Sequence, residues 1–187
     1  MKKCILLITI SILINSISYS QEKLNINIQK STIKWIGELT FNFGGHDGFI
    51  EFKEGYFIKN NEVITGGEFI IDMNSVTNTD IKDQRSKDDL INHLKEPDFF
   101  DVKKHPTATL KIKSVAYFKN NIGRIYADLT IKGITNSIEF NTTFNYEEKE
   151  MNARFKIDRK SWNVNYQSKF KNSFISDAIG FEVTIKL

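Results

Sequence analysis

The amino-acid sequence predicts an all-β domain, either an antiparallel sandwich or an up-and-down barrel, interrupted by one short helix. Apolar and polar residues alternate with period two in stretch after stretch of the 187-residue chain. Asparagine and glycine turn signals separate several of these stretches, and no long segment with helical period competes. Short strands at regular spacing are the mark of those two architectures.

Residues 1–20 stand apart from the fold. Lys2 and Lys3 precede an apolar run from Cys4 to Ile14, and Ser18-Tyr19-Ser20 offers small residues at the two positions a signal peptidase reads. The run ends at Asn15, too short for a spanning helix, which needs about 20 apolar residues. Residues 1–20 are therefore expected to be a signal peptide cleaved after Ser20. The exported chain, residues 21–187, is expected to be periplasmic or secreted, with no stable membrane span. Cleavage removes the chain's one cysteine and two of its lysines, leaving no thiol or disulfide chemistry and a nearly neutral charge. A nucleic-acid partner would require a concentrated basic stripe, and the sequence has none.

The first predicted strand, Thr32–Phe41, sets Ile33, Trp35, Gly37, Leu39 and Phe41 on one face against Thr32, Lys34, Ile36, Glu38 and Thr40 on the other. Strands are expected next at 48–59, 63–73, 107–117, 125–131, 137–144, 153–158 and 179–187. Asn60-Asn61, Asn120-Asn121 with Gly123, and Gly133 supply turns between them. The helix is expected after Ser86, whose spacing to Asp89 fits a capping box. Leu90, Ile91 and Leu94 form its apolar face, and Glu96-Pro97 ends it, because the residue before proline avoids the α region. Phe99 and Phe100 follow, between Asp98 and Asp101 and between the chain's two prolines, Pro97 and Pro106. This Phe-Phe corner is expected to close one end of the apolar interior, the alternative being a loop anchor outside the sheet.

Catalytic and metal signals are sparse. His46, His93 and His105 lack the spacing of a zinc site, and the run "DIKDQRSKDD" lacks the register of a calcium loop. No Gly-x-Ser-x-Gly elbow occurs. The expectation is a protein that is not an enzyme and carries no metal or cofactor.

The stretch "HLKEPDFFDVKKHPTATLKI" resembles the signature of the YceI-like family, exported lipocalin-like barrels associated with polyisoprenoid binding. "STIKWIGE", "GGHDGFIEFKEG", "GGEFIIDMNSV", "ADLTIKGITNSIEF" and "FKIDRKSWNV" resemble further family segments, in order along nearly the whole chain after residue 20. Ala127 and Gly180 depart from it, where glycine and an acidic residue are usual.

The resemblance implies an eight-stranded antiparallel barrel with one short helix before the Asp-Phe-Phe-Asp segment. It also implies an apolar cavity for a polyisoprenoid, an isoprenoid quinone or another long-chain amphiphile. Ile33, Trp35, Ile50, Phe52, Phe69, Phe99, Phe100, Leu110, Ile112, Leu129, Phe140, Phe155 and Phe181 are the expected lining. A filled core wants the same residues, so a barrel without a cavity, acting through its surface in stress protection or partner binding, stays open. His46 in "GGHDG" is a head-group contact or a turn residue. Arg159, in the Asp-Arg-x-x-Trp corner with Trp162, is a head-group contact or a structural ion pair. The oligomeric state is open, a dimer included.

Overall fold

The computed structural model describes residues 21–39, 45–166 and 175–187. The expected signal peptide and the extension of the first predicted strand to Phe41 lie outside the described residues.

Strands β1 (Gln21–Asn25), β2 (Thr32–Leu39), β3 (Gly45–Asn60) and β4 (Val63–Asp72) precede the helix α1 (Gln84–Lys95). Strands β5 (Thr107–Tyr117), β6 (Ile122–Ile131), β7 (Ile134–Asn145), β8 (Glu150–Asp158) and β9 (Ile175–Lys186) follow it. All pairings are antiparallel, in the order β3-β2-β9-β8-β7-β6-β5-β4, and β4 returns to β3 to close an eight-stranded barrel. Closure thus pairs the two ends of the strand order, β3 and β4, with each other. β1, absent from the expected strands, is an extra short strand on the second half of β3, with Gln21 opposite Asn60. Its five residues carry only Leu24 as an apolar partner for the interior, so no period-two signal marks it.

The strands run longer than the alternation predicts at several ends, because backbone pairing continues after the apolar pattern stops. In β3 the pattern itself breaks. Register shifts between Phe52 and Glu54, and between Ile58 and Lys59, change which parity faces inward. Phe52 and Phe57, five residues apart, are therefore both buried. β5 does the same between Ile112 and Ser114.

The turns follow local chemistry. Ile131 pairs with Ile134, so Lys132 and Gly133 form a two-residue hairpin loop, both with positive φ, 54° and 75°. That is the backbone hand which matches strand twist. Asn61, Asn120 and Asn121 also take positive φ, a conformation asparagine tolerates better than most side chains.

The expected start of the helix needs correction. Asp83, not Ser86, caps α1: its carboxylate accepts the Ser86 amide at 2.8 Å, and the helix begins at Gln84. Aspartate is as good a cap as serine, and capping there adds three residues, Gln84 to Ser86, to the helix. The end at Glu96-Pro97 is as expected.

One part of the wall is not laddered. β7 pairs with β6 over its length, and β8 pairs with β9 over its length. The two pair with each other only from Thr142–Asn145 to Glu150–Ala153. Beyond that the strands part, and the Asn136 side-chain amide donates to the Ser161 carbonyl across the opening at 2.8 Å. Behind it Phe140 and Phe155 stack face to face, ring centroids 4.3 Å apart and planes 14° apart.

Candidate functional site

The inward faces of the strands enclose an apolar cavity with about 230 Å³ of space for water-sized bodies. A single buried water needs only about 10–15 Å³ on that measure, so the barrel is not filled by its own side chains. All thirteen apolar residues expected from the sequence line it. So do residues that the sequence reading left out of the lining, among them Ile71, Ile125 and Met151. Their alternation was legible, but the depth of the cavity depends on which layers stay open, and that is set by the closed ring of strands.

The hairpin end is packed. Phe57 meets Phe69 edge-on at 5.0 Å, Tyr117 lies 5.4 Å from Phe144, and the Tyr117 hydroxyl donates to the Ile64 carbonyl at 2.8 Å. The other end is spanned by α1 and the Phe-Phe corner. Leu90, Leu94, Phe99 and Phe100 all face the cavity. The corner is held by its own backbone: the Phe100 amide donates to Leu94, Asp101 to Glu96 and Val102 to Lys95. Asp101 adopts φ 47°, turning the chain back, and its carbonyl accepts the amides of Lys104 and His105. The Lys132 ammonium ties the corner to the barrel by donating to the carbonyls of Pro97 and Asn163, at 2.8 and 3.1 Å. Asp98 accepts from or pairs with His93 at 3.2 Å.

Among the described residues, four polar or charged side chains reach the lining, and Glu38, Arg159 and Ser176 each have a protein partner. Glu38 holds the Lys156 ammonium with both oxygens, at 3.0 and 3.1 Å. Arg159, only 4% exposed, donates to the carbonyls of Ser176 and Val164 and pairs with Asp177 at 3.1 Å. That is the structural ion pair of the Asp-Arg-x-x-Trp corner. Trp162, buried beside it, donates its indole N–H to the Leu129 carbonyl at 3.0 Å. The Ser176 hydroxyl accepts the Ala178 amide at 3.1 Å.

His46 is the fourth. Its side chain is 48% exposed, and Nδ1 lies 2.8 Å from an oxygen of Asp80. The partner comes from a segment that crosses β3 where residue 48 is glycine, since a Cβ there would lie 1.9 Å from the Thr77 carbonyl oxygen. Trp35 anchors the same segment, donating its indole N–H to that Thr77 oxygen at 3.0 Å. Burial alone would raise the Asp80 carboxyl. Hydrogen bonds from His46, the Asp47 amide and Asn78 outweigh it and hold the group below its ordinary value. Asp80 was not legible as a site residue, because only the fold brings it to His46.

Among the described residues no cluster of three or more metal-ligating side chains occurs, and no helix is long and apolar enough to cross a membrane.

The profile of the YceI-like domain matches residues 16–187. The chain belongs to the YceI-like family. A UPF0312 protein of Pseudomonas putida is 27% identical over 132 residues, 70% of this chain and 65% of the relative. The YceI-like chain thus aligns with under two thirds of that relative's length. The crystal structure of Burkholderia cenocepacia BcnA superposes with a TM-score of 0.71 at 19% identity, covering 86% of this chain and 98% of BcnA. That likeness is one of fold, and it agrees with the YceI-like barrel described above.

Proposed function

We propose that this YceI-like protein is exported, with cleavage after Ser20, and sequesters the apolar chain of an amphiphile in its barrel. The ligand is a polyisoprenoid, an isoprenoid quinone or another long-chain amphiphile, held for storage, transport or sequestration. The unfilled apolar cavity carries this reading. A barrel acting only through its outer surface would have no use for such a space, and empty apolar volume destabilises a core.

Burial contributes about 0.8 kcal/mol per methylene-sized group, so each five-carbon isoprene unit adds up to roughly 4 kcal/mol. A few units offset the freedom lost on association. Binding of this kind is set by tail length first and by the polar end second. It requires no bond to be made or broken in the ligand. Native mass spectrometry of protein secreted by its expression host, followed by organic extraction, tests the proposal. A co-purifying lipid-sized adduct is expected. An adduct-free protein that also fails to take up an added prenyl alcohol overturns it.

A further inference from the structure

We infer that His46 selects amphiphiles whose polar end donates a hydrogen bond, a hydroxyl, phenol or primary amide, over ends that only accept one. This deepens the proposed function and rests on it. Of the polar and charged side chains that line the cavity among the described residues, Glu38 is engaged by Lys156 and Arg159 by two carbonyls and Asp177, while the Ser176 hydroxyl accepts the Ala178 amide and keeps its hydrogen as a donor. Trp35 has spent its one donor on Thr77. Close by, Asp47 is taken up by Lys34 at 2.7 Å. His46 alone keeps a ring nitrogen, Nε2, with no protein partner among the described residues.

The state of that nitrogen follows from Asp80. One carboxylate oxygen already accepts the Asp47 amide at 2.9 Å and the Asn78 side-chain amide at 2.6 Å, while the other faces His46 Nδ1. An ionised carboxylate has no proton to give, so the neutral ring must carry its hydrogen on Nδ1. Nε2, across the ring, is then a bare acceptor on a half-exposed side chain of the cavity lining. A bound hydroxyl satisfies it, whereas an ether or ester oxygen meets it lone pair to lone pair. The Asp–His pair is thus a device for fixing a tautomer, as a second partner does for many functional histidines.

The test uses one tail with three ends: farnesol, farnesyl methyl ether and farnesyl phosphate. Each displaces N-phenyl-1-naphthylamine from the secreted protein at pH 8.5, above the ordinary imidazole range. Farnesol is expected to bind about two- to tenfold tighter than the ether, the range that one neutral hydrogen bond supplies. The preference should vanish in His46→Phe and persist in part in His46→Gln, which retains an acceptor. Asp80→Asn should also shrink it, since an amide can donate to Nδ1 and move the ring hydrogen to Nε2. Equal affinity for alcohol and ether in the wild type overturns the inference, as does tighter binding of the phosphate. If none of the three displaces the dye, the cavity reading itself has failed.

Discussion

Phe99 lies against Tyr166 with ring centroids 4.8 Å apart and planes 27° apart, and His93 stands edge-on to both at 5.1 and 4.4 Å. The contact joins the corner after α1 to the segment after β8, across one end of the barrel. Phe100, its neighbour, is half-buried and also faces the cavity. The two rings therefore divide the work of the corner. Phe99→Ala should cost roughly 3–5 kcal/mol in urea unfolding, as for other buried aromatic truncations. Phe100→Ala should cost clearly less stability while weakening a bound prenyl analogue more. Equal effects of the two variants on both measurements would contradict the division.

Trp35 and Lys34 test the faces of β2. Trp35 lines the cavity with open space beside it, so Trp35→Ala should cost about 1–3 kcal/mol, below the range for a ring in a packed core. Lys34 points outward to Asp47, and its removal should move the urea midpoint far less. A larger effect at Lys34 would mean that the strand is out of register by one residue.

The parted strands β7 and β8 should exchange hydrogen faster than the fully laddered pair β5 and β6. Amides in 154–158 that point toward β7 have no strand partner there. Hydrogen-exchange mass spectrometry should show this region opening below the global unfolding free energy. Phe140→Ala, which removes half of the ring stack behind the gap, should raise its exchange further. Uniform protection around the barrel would show that the gap is closed in solution.

Acid should weaken the corner at Arg159. Asp177 is held below its ordinary value first by the hydrogen bond from Lys160, then against a smaller opposing effect of burial, by the charges of Lys160 and Arg159. A depressed folded value means that the unfolded chain binds the proton more readily. The stabilisation is thus present above the ordinary carboxylate value near pH 4, and is lost as pH falls through the lower folded value. Urea midpoints measured from pH 7 to pH 3 should fall along this limb in the wild type. They should fall less steeply in Asp177→Asn, and parallel curves would remove Asp177 from the account.

Intact-mass measurement of the exported chain should give an N-terminus at Gln21. Retention of residues 1–20 would refute the cleavage site proposed from Ser18-Tyr19-Ser20.

Most strand centres were legible, since a half-buried strand writes its apolar face at every second residue. The positive-φ turns at Asn61, Asn120 and Gly133 were legible because local sterics choose those residues. So were the helix end before Pro97 and the thirteen lining residues, as a set of inward apolar positions. The cap at Asp83 was misread because Ser86 also fits the local pattern, and only the folded backbone shows which side chain accepts the amide.

Other features had no local signature. β1 exists because β3 outruns β2 and leaves an edge to be covered. The parity changes in β3 and β5 come from bulges that keep a twisted sheet closing on itself. Asp80 reaches His46, and Asp177 reaches Arg159, through contacts 34 and 18 residues apart in the chain. Whether the interior is filled or hollow was the largest question the sequence left open. The same apolar residues satisfy either outcome, because hydrophobicity records that a side chain leaves water and not how far it stands from the opposite wall. That distance is fixed by the number of strands and their register around the ring, which only the closed tertiary structure decides.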